Sequence, residues 1–192
     1  GILALVGIAL VGSAAILRLA AVGSASARHT WDRVVITVGP SAYGVAWFVA
    51  FLATTGSLYF SEVAGFEPCT LCWYQRIAMY PLVIILAIAA ARRERAGAVY
   101  AAALAGIGAL VSTYHVLLEW FPSLDSGACS ATTPCTLVWF RVFGFISLPT
   151  LALTAFALLL PLMAIRLAWA GDRPDDHDPL VDPDTEPTRR PA

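Results

Sequence analysis

The chain has 192 residues, of which 59% are hydrophobic and only 13% charged, against roughly 25% charged in an average soluble domain. With a mean hydropathy of +0.75, an ordinary soluble globule is excluded. All twelve basic residues are Arg and the net charge is -1, so no basic face exists for a phosphate backbone and nucleic-acid binding is not expected. Seven of the thirteen acids fall in the last 21 residues, which leaves six acids and nine Arg to cover the first 171. Lipid is the solvent that such a body requires.

A hydrocarbon core of about 30 Å needs roughly 20 helical residues. Ile2 to Leu17 is apolar but marginal at 16 residues, and reads as an uncleaved extra transmembrane helix. A signal peptide is the competing reading, because Ala25, Ser26 and Ala27 resemble a small-residue cleavage site. Cleavage there would put Arg28 and Arg33 outside and invert every later span. Val34 to Ser61 carries no charge, with Ala42 to Phe60 as its apolar core. Ile77 to Ala91 is only 15 residues between Arg76 and Arg92, so that span must begin near Trp73 or earlier. Ala96 to Leu118 and Val142 to Ile165 are long enough as they stand. The tail from Gly171 to Ala192, with five Pro and seven acids, is predicted to be disordered.

The predicted fold is therefore an all-α integral membrane protein, a four-helix transmembrane bundle with one extra N-terminal transmembrane helix. It divides into a hydrophobic segment plus cytoplasmic linker (1–40), the bundle (41–168) and the acidic tail (169–192), with no internal repeat. Positive residues accumulate on the cytoplasmic side. Arg92, Arg93 and Arg95 mark one such turn, Arg18, Arg28 and Arg33 another, and Arg166 and Arg173 a third. The segments Glu62 to Cys72 and Glu119 to Arg141 then face outward, with Glu62, Glu67, Glu119 and Asp125 against the single Arg141. A multi-pass protein of a bacterial cytoplasmic (inner) membrane is expected.

All four cysteines lie in those outward loops, Cys69 and Cys72 in the first, Cys129 and Cys135 in the second. In an oxidising compartment an even set of loop cysteines reads as disulfides. One reading is a pair of structural staples on a non-enzymatic scaffold. A zinc site is disfavoured, since the second pair is C-x5-C and there is no second C-x2-C, and no metal is expected. A redox reading draws on position. Cys72 opens a transmembrane helix, where the N-terminus favours a thiolate, and Arg76 follows four residues later on the same face. Counting back about 20 residues from Arg92 at 1.5 Å each puts Cys72 near the lipid boundary, within reach of a lipid-soluble electron carrier. The alternative for Arg76 is a snorkelling anchor, and Trp73 and Tyr74 suit the interfacial belt. His115 and Glu119, four apart near the outer end of the third span, are either a functional pair or a satisfied interfacial histidine with its neighbour. Arg141 reads as an anchor of the fourth helix, with lipid phosphate as a candidate contact and no catalytic role.

The run Pro68-Cys69-Thr70-Leu71-Cys72-Trp73-Tyr74-Gln75-Arg76-Ile77-Ala78-Met79-Tyr80-Pro81 resembles the P-C-x-L-C-W-Y-Q-R signature of the DsbB family of disulfide bond formation proteins. Gly144-Phe145-Ile146-Ser147-Leu148-Pro149 is similar to that family's motif at the start of its last helix, and the likeness covers about residues 41–168. The resemblance implies a thiol oxidase that reoxidises an extracytoplasmic thioredoxin-like dithiol oxidant and passes the electrons to a membrane quinone, ubiquinone or menaquinone. By position, Cys69 and Cys72 match the quinone-proximal pair, Cys72 the cysteine that contacts the ring as a thiolate, and Arg76 the arginine beside it. His115 matches, more weakly, a histidine linked to the quinone site. Cys129 and Cys135 match the pair that exchanges with the partner, Cys129 being the site of the mixed disulfide. The short C-x5-C departs from the best-known members and looks like the BdbC-type branch, which leaves the order of exchange open.

Exchange alone creates no oxidising power. A strong dithiol oxidant lies near about -120 mV, so its reoxidation requires an acceptor at higher potential, and a membrane quinone supplies one where no nucleotide or metal motif offers another. A vitamin K epoxide reductase-like quinone reductase also combines four helices, a C-x2-C and a quinone, but carries its C-x2-C on the last helix of the bundle.

Overall fold

The computed structural model describes residues 2–125, 127, 129 and 133–171; the predicted acidic tail beyond Gly171 lies outside them. The elements are α1 (Ile2–Gly23), α2 (Ala25–Val38), α3 (Ala42–Leu58), α4 (Thr70–Arg92), α5 (Arg95–Trp120) and α6 (Leu148–Gly171). A π-helical turn, Tyr59–Val63, prolongs α3. Among the described residues the only β feature is an isolated bridge between Val142 and Ile146.

Among the described residues, four stretches are long and apolar enough to cross a bilayer: Ala42–Val63, Thr70–Arg92, Arg95–Trp120 and Leu148–Trp169. Their outer faces are apolar rather than polar, with Ile84 65% and Leu110 73% exposed, as a surface solvated by lipid must be. α4 begins at Thr70, early enough to solve the shortage of length between Arg76 and Arg92. The protein is an all-α membrane bundle.

Lipid tails give packed helices no hydrophobic advantage, so close approach through small residues holds them together. Ala46, Ala50, Ala78, Ala89, Ala98, Ala101 and Ala105 fill the interior accordingly. The tightest fit is at Gly108 of α5, where a Cβ would stand only 2.2 Å from the ring of Phe156 on α6. Phe156 is fully buried and needs that notch.

The last span departs from expectation at its start. Residues from Val142 were read as helix, but α6 begins at Leu148. Val142 and Ile146 exchange backbone hydrogen bonds of 2.9 Å in both directions, closing a turn with Phe143 and Gly144 at φ 53° and 80°. A left-handed residue is cheap only for glycine, so Gly144 ends any helical path through an apolar run, and Pro149 then sits in the first turn of α6, where its missing N–H costs nothing.

At the opposite end from the cysteines, the segment read as a linker is largely the helix α2. Its Trp31 and Val35 are buried with Ala21 of α1 and Ile165 of α6, while Arg28 and Arg33 are exposed. α1 runs along α6, Gly7 lying against Thr154 and Leu158 and Ala21 against Ile165. Arg166, counted from sequence as a marker of the positive side, is only 3% exposed. Its guanidinium lies 4.8 Å from the rings of both Tyr43 and Trp169 and donates to the Arg93 carbonyl at 2.8 Å, clasping the α4–α5 turn to α6.

Gly108→Val should drive a methyl into the Phe156 ring and lower the stability of the detergent-solubilised protein by about 1–3 kcal/mol. Thermal unfolding of the single and double variants checks this, with Phe156→Leu expected to recover part of the loss in the Gly108→Val background.

Candidate functional site

α4 starts on a cysteine cap. Cys69 is the N-cap residue, with extended backbone, and its sulfur accepts the N–H of Cys72 at 3.4 Å. The helix-start stabilisation assigned to Cys72 from sequence therefore acts first on Cys69, one turn earlier, because the cap residue and not the first-turn residue faces the unpaired N–H groups. The Cys69 and Cys72 sulfurs are hydrogen-bonded to each other at 3.0 Å, and both cysteines are free. That hydrogen bond, opposed by burial and reinforced by His115, holds the Cys69 thiol far below the ordinary range, at about 4.

His115 comes from α5 and is 2% exposed. Its Nε2 is 3.2 Å from the Cys135 carbonyl oxygen and 3.7 Å from the Cys69 sulfur. A carbonyl can only accept, so Nε2 carries the proton and donates to both. Nδ1 is then an acceptor, and the Gln75 amide nitrogen of α4 donates to it at 3.2 Å. One imidazole thus ties the Cys69–Cys72 pair to the second cysteine pair. Cys129 and Cys135 are joined in a disulfide, and Cys69, Cys135, Leu71 and Leu118 form one buried cluster. The structure brings together all four predicted cysteines and His115. Sequence reading missed Gln75 as a contact, although its place three residues after Cys72 on the inner face of α4 was a usable signal.

Arg76 points elsewhere. Its Nε donates to Ser57 Oγ at 3.1 Å and its guanidinium to the Ser57 carbonyl at 3.2 Å, and it lies 5.2 Å from the Trp73 ring. Tyr80 donates to the same Ser57 hydroxyl at 3.3 Å. Ser57 stands at the end of α3, just before the π-helical turn, a feature frequent at functional sites. The guanidinium is thus fixed between α4 and α3 rather than left to snorkel freely.

Two hollows meet at the thiol pair. A pocket of about 20 Å³, room for roughly one water, is lined by Cys69, Cys72, His115, Glu119 and Thr133 among others. Glu119 accepts a hydrogen bond from Ser147, the residue before α6, and Arg141 lies 4.6 Å from the Trp120 ring beside it. The second hollow is a cleft of about 500 Å³ between α3 and α6, overwhelmingly apolar, whose wall includes Cys72, Arg76, Phe60, Phe66 and Trp139. Cys72 lines it and Cys69 does not. Phe66 stacks on Trp139 with centroids 4.8 Å apart and on Phe60 at 5.7 Å, an aromatic ladder joining the two loops at the cleft that no spacing pattern announced. Cys72 thus faces an apolar space of the kind that takes a ring with a hydrocarbon tail. Cys69, Cys72 and His115 also set three soft donor atoms within 4.8 Å of one another, a grouping that the four-cysteine zinc reading did not contain.

The profile of the family described as "Disulfide bond formation protein DsbB" matches residues 40–166, from the start of α3 to the Arg166 clasp. The "Probable disulfide formation protein" of Oceanobacillus iheyensis is 45% identical over 127 residues, 65% of this chain and 88% of that one. The "Disulfide bond formation protein C" of Bacillus subtilis is 45% identical over 121 residues, 62% and 88% of the two chains, and the "Probable disulfide formation protein C" of Bacillus cereus is 47% identical over 112, 58% and 81%. What these alignments leave uncovered in the relatives is too short to hold counterparts of both α1 and α2. No solved structure matches the chain. A match that spans the whole bundle, both cysteine pairs and the histidine between them makes this chain a member of the DsbB family of disulfide bond formation proteins.

Proposed function

We propose that the protein is a membrane thiol oxidase that reoxidises an extracytoplasmic thioredoxin-like dithiol partner and delivers the electrons to a membrane quinone, ubiquinone or menaquinone. The observation that carries this reading is the position of Cys72, which is at once a member of a free dithiol and a wall of the large apolar cleft. A stapled scaffold accounts for the Cys129–Cys135 disulfide but not for a thiol pair set against such a cleft.

The chemistry runs through thiolate attack at each step. A partner thiolate attacks Cys129 and releases Cys135 as a thiolate; the partner's second thiol resolves the mixed disulfide, leaving the partner oxidised and Cys129 and Cys135 reduced. Cys135 then attacks Cys69 of the closed Cys69–Cys72 pair, because these two share one buried cluster and the His115 imidazole between them. Cys72 leaves as a thiolate, and attack by Cys129 on Cys135 restores the second disulfide and releases Cys69. The result is the disulfide and dithiol arrangement seen here. A quinone bound in the cleft supplies an acceptor for two electrons and two protons. Cys72, Arg76 and Gln75 are the polar groups on the cleft wall suited to hold its oxygen end, while Phe48, Leu52 and Leu151 suit its tail. Loops facing outward from a bacterial inner membrane follow from the same reading, with the Arg-rich end inside.

Cys72→Ser should abolish quinone reduction while the Cys129–Cys135 pair still exchanges with a reduced thioredoxin-like partner, and Cys129→Ala should do the reverse. Quinone absorbance and trapping of the mixed disulfide measure the two halves separately.

Arg76→Lys keeps the charge but loses the planar fork that spans the Ser57 hydroxyl and carbonyl. It should raise the KM for quinone about tenfold, the equivalent of about 1.4 kcal/mol, with partner exchange unchanged in single-turnover assays.

Alkylation reports the Cys69 thiolate directly. Its folded-state pKa is lowered to about 4, so the rate in reduced protein should stay level above that value and fall as pH drops through it. His115→Leu should move the midpoint upward, and Cys72→Ala further, since the Cys72 hydrogen bond is the largest cause of the lowering.

A further inference from the structure

Gly7 belongs to α1, outside the residues that match the family, yet it lines the same cleft as Cys72 and Arg76. The contact is close. A Cβ at Gly7 would stand 2.7 Å from Thr154 Cγ2 and 3.1 Å from Leu158 Cδ1, so α1 is seated on α6 through glycine as membrane helices pack. Thr154 and Leu158 line the cleft as well. They lie six and ten residues beyond Leu148, the first residue of α6, or roughly 9 and 15 Å further into the bilayer at 1.5 Å per residue. Leu148 itself shares the cysteine end of the cleft, lining both hollows that meet at Cys72. The cleft therefore starts at the thiol pair and continues along α6 to the point where α1 closes on it.

From this continuity we infer that α1 forms part of the substrate site, as the wall that meets the polyprenyl tail of the quinone beyond its ring. The inference rests on the oxidase reading and adds to it a substrate feature, tail length, together with the element that reads it. Polar chemistry is confined to the Cys72 and Arg76 end, and the segment beside Gly7 offers the apolar residues Leu151, Ala155 and Leu158 and the methyl of Thr154. A hydrocarbon tail fits that segment, where the Thr154 hydroxyl beside Gly7 already donates to the Thr150 carbonyl. The electron path is unaltered, since the hydrogen bonds at the Cys69–Cys72 pair come from α4 and from His115 of α5.

The test compares a quinone with a long polyprenyl tail and one whose ring carries only methyl groups, using the full chain in lipid nanodiscs. Gly7→Leu should raise the KM for the long-tailed quinone about tenfold, the factor that about 1.4 kcal/mol of lost contact represents, and leave the kcat and KM for the tailless one unchanged. Equal changes with both quinones, or none with either, would overturn the inference. A long-tailed analogue bearing a diazirine near the middle of its tail should label α1 in wild-type protein, and excess unlabelled long-tailed quinone should block that labelling. Label confined to α3 and α6 would overturn the inference while leaving the oxidase reading intact. Failure of the wild-type protein to reduce either quinone would overturn the oxidase reading and this inference with it.

Discussion

The His115 imidazole is the contact on which the rest of the site depends. Three separate segments converge on its two nitrogens: the cap of α4 through Cys69, the inner face of α4 through Gln75, and the α5–α6 segment through the Cys135 carbonyl. A buried polar ring with an unmet nitrogen costs about 1–3 kcal/mol, so each partner is held where the ring requires it. The Cys135 carbonyl and the Gln75 amide together fix the tautomer, and that tautomer aims an N–H at the Cys69 sulfur.

The bundle gives the two cysteine pairs unlike surroundings. Cys69 and Cys72 are anchored to the start of a 23-residue helix, and their distance from Arg76 is set by helical rise. Cys129 and Cys135 belong to the connection between α5 and α6, whose described part contains a 3-10 turn at Pro122–Leu124 and the Val142–Ile146 bridge. Both cysteines line the small pocket beside Glu119, but only Cys72 also lines the apolar cleft.

The spans were legible because bilayer thickness and helical rise convert directly into a count of uncharged residues, and the interruption by charge is unambiguous at Arg92, Arg93 and Arg95. The thiol pair and Arg76 were legible because their spacing is local to one helix. What the sequence hid has physical causes of other kinds. Val142 to Ser147 is as apolar as a span, and only the left-handed residues at Phe143 and Gly144 turn it into a bend. Arg166 reads as a surface cation because charge marks sidedness by count, whereas its burial depends on Tyr43 and Trp169, 123 and 3 residues away in sequence. Ser57 is one of several hydroxyls near the end of α3, with Thr54, Thr55 and Ser61, and its role appears only when α4 is laid beside α3. α2 reads as linker because charge interrupts it at Arg28, Asp32 and Arg33, yet Trp31 and Val35, four apart, suffice to dock it.

The oxidase reading proposed above sets two mechanical demands that conflict. The pair that meets a diffusing protein must present a sulfur to attack from outside, and the pair that meets a lipid-soluble acceptor must hold its sulfur at a fixed depth. The two pairs are placed accordingly, since Cys72 lines the apolar cleft and neither Cys129 nor Cys135 does. Placing one pair on a helix cap and the other in a connecting segment separates the demands, and His115 restores the link between them with hydrogen bonds rather than a covalent tie. Hydrogen bonds of this kind contribute about 0.5–1.5 kcal/mol each, enough to position Cys135 against Cys69 and little enough to let it part from them once the electrons have moved on.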